Sequence, residues 1–132
     1  MRFDAIGIVV TDMASSLAFY RLLGLQFPQG AEEDGHVETV LPGGIRLMFD
    51  SEDVMQSFDE HWVPPARPGP MSFAFLCDRP DDVDTSFDRL VEHGYEGVLA
   101  PFDAFWGQRY ATIRDPDGNA VDLFAPLADR ED

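Results

Sequence analysis

The stretch Arg109-Tyr110-Ala111-Thr112-Ile113-Arg114-Asp115-Pro116-Asp117-Gly118-Asn119-Ala120-Val121-Asp122-Leu123-Phe124 reads as two short strands joined by a tight turn. Pro116 presets the φ that the middle of such a turn needs, and Gly118 supplies the conformation that closes it. The same grammar stands earlier in the chain. There Val37–Leu41 and Ile45–Phe49 are strand candidates separated by Pro42-Gly43-Gly44.

Working outward, each hairpin is preceded by a strand and a helix. Residues 3–10 form an apolar, β-branched run, and Met71–Cys77 forms another. After the first, Thr11-Asp12 offers a capping group, Met13, Leu17, Tyr20 and Leu23 recur near helical spacing, and Gly24 ends the pattern. After the second, Asp78–His93 reads as a helix with an acidic first turn and an apolar stripe of Val83, Phe87, Leu90 and Val91 that closes at Gly94. Gly97–Pro101 is a further short strand. The order strand, helix, strands therefore occurs twice, and pattern alone assigns an α+β fold.

Between the halves, Ser51–Pro70 carries Pro64, Pro65, Pro68 and Pro70, a density that excludes strand or helix interiors and makes the segment a crossover. Its Met55, Phe58, His61 and Trp62 either cap the core or wall a ligand site. The residues after Pro126 are expected to fray.

With 132 residues the chain is expected to be a single domain, with module 1 at about 1–50, the crossover at about 51–70 and module 2 at about 71–126. Nine basic against 25 acidic side chains give a net charge of −16, which repels phosphate backbones and anionic lipid. Nucleic acid and membrane are thus not expected partners, whereas a cationic ligand is compatible with that field. One cysteine, Cys77, excludes an internal disulfide or a cysteine-held metal cluster. No signal peptide or apolar run of membrane-spanning length is present, so a cytoplasmic location is expected.

Val9-Val10-Thr11-Asp12 followed by Ser15-Ser16-Leu17-Ala18-Phe19-Tyr20-Arg21-Leu22-Leu23-Gly24, with Phe105-Trp106-Gly107-Gln108-Arg109-Tyr110 running into Asp115-Pro116-Asp117-Gly118-Asn119, resembles the two ends of the vicinal oxygen chelate superfamily. That superfamily contains glyoxalases, extradiol dioxygenases and bleomycin-resistance proteins. The resemblance covers essentially the whole chain. It implies two βαβββ modules forming a curled mixed sheet with a concave cup, and a homodimer.

Metal-dependent members hold a divalent ion in the cup through two His and a Glu. Carried over position by position, those places fall on Ala5, Ser72 and Asp122, with Met48 as the pseudo-twofold partner of Asp122. One carboxylate, one hydroxyl and one thioether make a poor ion site, so no metal and no cofactor is expected. The histidines read otherwise: His36 lies in or before a strand, His61 in the crossover, and His93 where an imidazole commonly meets a helix's last carbonyls.

Strand alternation places Ala120 and Phe124 with Asp122, Ala74 and Leu76 with Ser72, and Gln108, Tyr110 and Thr112 together. Asp122 is then a carboxylate among apolar neighbours, either satisfied by backbone amides or Arg46, or waiting for a ligand cation. Trp62 and Trp106 either staple loops or stack on a flat ligand. The resemblance extends to metal-free bleomycin-resistance-like proteins, which are acidic and bind a flat cationic antibiotic. The ligand-binding set is accordingly Met48, Trp62, Ser72, Trp106, Gln108, Tyr110 and Asp122, and the expected function is the binding of a small organic molecule, aromatic or cationic. The alternatives are a metal-dependent lyase, isomerase or dioxygenase with unusual ligands such as His36, Asp122 and a loop carboxylate, and a cofactor-free enzyme, with Tyr110 and Asp122 as acid and base, or a pure interaction module. No catalytic residue is assigned, and whether the chain is an enzyme is left open.

Overall fold

A computed structural model describes residues 1–66 and 68–127. The chain divides into two compact units, Met1–Ala66 and Arg67–Asp132.

The first unit runs β1 (Ala5–Val10), α1 (Met13–Leu22), a 3-10 turn (Ala31–Glu33), β2 (His36–Val40), β3 (Arg46–Ser51) and α2 (Glu52–Phe58). Its sheet has the order β1-β3-β2, with β1 parallel and β2 antiparallel to β3. Alternation sorts the residues by burial. Leu47 and Phe49 of β3, Val37 of β2 and Val10 of β1 are buried, as are Met13, Leu17, Phe19 and Tyr20 of α1. Tyr20 meets Phe49 with ring centroids 5.3 Å apart, so helix and sheet share this core.

The second unit runs β4 (Ser72–Leu76), α3 (Pro80–Glu92), β5 (Gly97–Asp103), β6 (Gln108–Arg114) and β7 (Ala120–Pro126), with the sheet order β4-β7-β6-β5. Here β4 is parallel to β7 and the other pairs are antiparallel. Ala111, Ile113, Val121, Leu123 and Ala125 are buried together with Val83 and Leu90 of α3. Val91, expected in the apolar stripe, is instead 43% exposed, because the stripe turns off the sheet before the helix ends. The C-terminal imidazole lies where a cap is useful: His93 Nδ1 is 2.8 Å from the Arg89 carbonyl. The residues past Leu127 that were expected to fray lie outside the described residues.

The internal repeat is visible in the registers. Met48 pairs with Gly7 and Glu38, and Asp122 pairs with Ala74 and Thr112, so both occupy the middle of the central strand between a parallel and an antiparallel neighbour. The second unit has four strands and the first three; the counterpart of β5 is the segment that holds the 3-10 turn.

Both turn assignments hold. Gly118 has φ +88°, and its amide donates to the Asp115 carbonyl at 2.9 Å. The Asp115 carboxylate, 4% exposed, accepts from the amides of Asp117 and Asn119 and from the Asn119 side chain. Gly43 and Gly44 have φ +96° and +95°. The crossover needs a correction. A helix, α2, forms over Glu52–Phe58, because the first proline stands at Pro64 and Ser51 caps the helix by accepting the Val54 amide at 3.2 Å. Among the described residues no helix is long and apolar enough to cross a membrane.

Gly97 has a packing role that its position in a plain strand did not reveal: a Cβ there would lie 2.6 Å from Cζ of Phe87 on α3. Gly97→Ala is expected to destabilise the protein by about 1–3 kcal/mol through overpacking. Combining it with Phe87→Leu should recover part of the loss in thermal unfolding. Equal stability of Gly97→Ala and the parent would refute this contact.

Candidate functional site

In the second unit the α3 helix covers one face of the sheet, and the residues of opposite parity stand on the other. Arg109 confirms the helix side, since its guanidinium reaches both carboxylate oxygens of Asp84 on α3 at 2.9 Å. The open side carries Ser72, Ala74 and Leu76 of β4, Gln108, Tyr110, Thr112 and Arg114 of β6, and Ala120, Asp122 and Phe124 of β7.

Asp122 is the centre of this face. Thr112, directly across the ladder, donates its hydroxyl to Oδ1 at 2.8 Å, and Ser72 donates to Oδ2 at 3.2 Å. Tyr110, one diagonal step along β6, has its phenol pushed up to about 12, first by burial and then by its hydrogen bond to Asp122 and that carboxylate's negative charge. A phenol held so high stays protonated at neutral pH and serves as a donor. Three donors thus converge on one half-buried carboxylate. Among the described residues no Lys, Arg or His forms an ion pair with it. Arg46, the partner considered from sequence, is held by Asp4 at 2.6 Å and Glu38 at 2.8 Å within the first unit. An ionised carboxylate offers about four lone-pair sites, so acceptor capacity remains for a further donor.

Beside this carboxylate stands an aromatic group built on the β5–β6 hairpin. The Trp106 indole N–H donates to Gln108 Oε1 at 2.8 Å, which sets the ring plane. Its ring meets Tyr110 edge-to-face at 5.3 Å, Phe105 at 5.0 Å and Phe102 at 6.4 Å. These rings are not sealed in a core: Phe105 is 96% exposed and Trp106 44%. The second unit therefore brings together Ser72, Trp106, Gln108, Tyr110 and Asp122. Gln108, on the same side of its strand as Tyr110 and Thr112, accepts from the Trp106 indole and not from a partner at Asp122. Thr112 was not among the expected site residues, yet it makes the shorter of the two hydroxyl bonds. The hairpin turn could have found it, since closing at Asp115 and Asn119 puts residue 112 opposite residue 122.

Met48 and Trp62 belong to the first unit. Met48 is half-buried at the middle of β3, and its Cε lies 3.7 Å from where a Cβ on Gly7 would be. Trp62 is half-buried after α2, with its amide donating to the Asp59 carbonyl at 3.0 Å. Around Met48 runs a chain of alternating charge. Asp4 and Glu38 hold Arg46, while His36 sets Nε2 2.7 Å from Glu38 and Nδ1 2.5 Å from Asp50. An imidazole between two carboxylates donates from both nitrogens when protonated, and these hydrogen bonds, Glu38 first and Asp50 second, raise its pKa above the ordinary 6.5. So engaged, neither nitrogen has a lone pair for a metal. At the positions that the resemblance matches to metal ligands, the first unit holds a methyl (Ala5) and a thioether (Met48), and the second a hydroxyl (Ser72) and one carboxylate (Asp122), so neither unit brings an imidazole there. Among the described residues no three His, Cys, Asp or Glu are grouped to hold one.

A family model described as the Glyoxalase/Bleomycin resistance protein/Dioxygenase superfamily matches residues 2–123. No curated protein matches the chain. Among solved structures, a glyoxalase-related enzyme from Fulvimarina pelagi superposes with a TM-score of 0.78 at 21% identity, covering 94% of this chain and 87% of that one. A glyoxalase/bleomycin resistance protein/dioxygenase family enzyme from Burkholderia phytofirmans PsJN gives 0.77 at 16% identity, covering 96% and 100%. A protein of unknown function from Agrobacterium tumefaciens C58 gives 0.72 at 26% identity, covering 96% and 95%. At these identities the first two likenesses speak for the fold alone.

The His36 bridges predict a pH dependence of stability. The folded pKa lies above the unfolded one, so the contribution is fully present below about pH 6.5 and is lost as pH rises through the folded value. The gap in melting temperature between the parent and His36→Gln should be widest near pH 6 and shrink toward pH 9. A gap that is constant or widens with pH would contradict the assignment.

Proposed function

Because the chain belongs to the glyoxalase/bleomycin resistance protein/dioxygenase superfamily, we propose that it binds a small, flat organic cation on the open face of its second sheet, without a resident metal. The observation that carries this reading is Asp122: a half-buried carboxylate whose donors are two hydroxyls and a phenol, beside four rings on a solvent-facing hairpin. Leaving a charge half-buried without a counter-ion is costly, and a ligand cation would supply one. The exposed faces of Trp106 and Phe105 suit a flat ring, which gains stacking and cation–π energy of about 0.5–1 kcal/mol at exposed sites. The net charge of −16 favours the approach of a cation.

The same features argue for sequestration over chemistry. Tyr110, held protonated, is a donor already spent on Asp122, and the pair offers no free base beside a free acid. That neither Ala5 and Met48 in the first unit nor Ser72 and Asp122 in the second include a His supports the metal-free form of the reading.

The test is a tryptophan-emission titration with benzamidine and, in parallel, with benzamide, which keeps the shape and removes the charge. Saturable binding of benzamidine is expected, with benzamide weaker by about tenfold, the equivalent of about 1.4 kcal/mol. Asp122→Asn, checked for unchanged thermal stability, should abolish the discrimination. Equal affinity for both probes would refute the role of the carboxylate. A stoichiometric transition metal in protein purified without chelator, and lost in Asp122→Ala, would replace this reading with the metal-dependent one.

A further inference from the structure

The row of β6 side chains on the open face does not end at Asp122. Gln108, Tyr110, Thr112 and Arg114 alternate along one side of the strand, and their partners on β7 are Pro126, Phe124, Asp122 and Ala120. Asp122 therefore lies between two diagonal neighbours, Tyr110 on one side and Arg114 on the other, each about 7–8 Å away by sheet geometry. Beyond Asp122 the surface dips into a cavity of about 460 Å³ lined by Pro68, Gly69, Arg114, Asp117, Gly118 and Ala120.

Arg114 is anchored there but keeps donors to spare. Its Nη1 donates to the Gly118 carbonyl at 2.9 Å, which fixes the guanidinium against the Asp115–Gly118 turn. Its Nε forms an ion pair with Glu96 at 3.7 Å, longer than a hydrogen bond. A guanidinium has five N–H groups in a planar fork, so most of them remain for a planar acceptor such as a carboxylate. Glu96 offsets the guanidinium charge, and Asp117 adds a second carboxylate on the cavity wall. The cavity is therefore not a general anion trap, and a free inorganic anion gains little there. A group that arrives with its own positive charge at Asp122 and its negative charge at Arg114 matches both.

We infer that the site takes an aromatic zwitterion: a flat ring against Trp106 and Tyr110, a cationic donor on Asp122, and a carboxylate in the Arg114 cavity, in that order along β6. This deepens the proposed function and rests on it. It assigns Arg114 as the residue that selects for the carboxylate, which neither the exposed rings nor Asp122 can do.

Tryptamine and L-tryptophan test it, because they share ring and ammonium and differ by one carboxylate. Binding is followed by amide chemical shifts of the isotope-labelled protein, with inorganic phosphate as the third probe. The expected result is about tenfold tighter binding of tryptophan than of tryptamine, the equivalent of about 1.4 kcal/mol, with no saturable response to phosphate. In Arg114→Gln the ratio should fall to about one, and in Arg114→Lys, which keeps the charge and loses the fork, to an intermediate value. The lysine variant keeps the test open if the glutamine variant unfolds. Tryptophan binding no tighter than tryptamine, or a preference unchanged in either folded Arg114 variant, overturns the inference while leaving the carboxylate–cation reading standing. Saturable phosphate binding lost in the same variants overturns it in favour of a plain anion site. If neither indole binds, both readings fall.

Discussion

The second sheet is covered on one face by a helix, α3, and the two-residue period of a strand turns that one-sidedness into chemistry. A β-strand cannot bury consecutive residues against one helix, so the sequence that fills the core with Val121, Leu123 and Ala125 must present Ala120, Asp122 and Phe124 on the other side. The same parity sends Arg109 toward Asp84 on α3 and leaves Tyr110, Thr112 and Arg114 outside. A one-residue slip of β7 against β6 would bury Asp122 in the core and expose Leu123. The Asp115 carboxylate, gathering three N–H groups of the turn, is what prevents that slip. The register that places Asp122 among its donors is thus set by a turn next to them.

This dependence explains what was legible in advance. The two hairpins and their turns were readable because Pro116, Gly118, Gly43 and Gly44 mark positions with a steric requirement that few residues meet. The parity of Ser72, Tyr110 and Asp122 followed from alternation alone. What stayed hidden depended on partners distant in the chain. Nothing local to Gln108 says that its carbonyl will take the Trp106 indole instead of facing Asp122. Nothing local to Gly97 announces the Phe87 ring. The helix over Glu52–Phe58 is hidden for a different reason: the proline density of the crossover belongs to its second part, and residues 51–63 carry none.

The two units have used one plan for different ends. Met48 and Asp122 occupy equivalent places, but their neighbours differ in kind. Around Met48, charges neutralise one another in the chain Asp4, Arg46, Glu38, His36, Asp50, each side chain spending its hydrogen bonds on another. Around Asp122 the partners are neutral hydroxyls and a phenol, which orient the carboxylate without cancelling its charge. A saturated network on an exposed strand contributes modestly to stability and offers a ligand little, whereas an oriented, uncancelled carboxylate beside exposed rings retains binding capacity.

Tyr110 links the polar and aromatic halves of that surface. Its ring is one wall of the cluster with Trp106 and Phe102, and its phenol is a donor to Asp122. A cation brought to Asp122 would use the acceptor capacity that the three donors leave, and its charge would weaken the electrostatic hold that keeps the phenol protonated. On the proposed reading, ligand charge and ring position would be coupled through one side chain, because the phenol that donates to Asp122 belongs to the ring packed against the Trp106 indole. That coupling would favour ligands in which a flat ring and a positive group are held at a fixed separation over ligands that carry only one of the two, because the first kind meets both demands with a single loss of translational freedom.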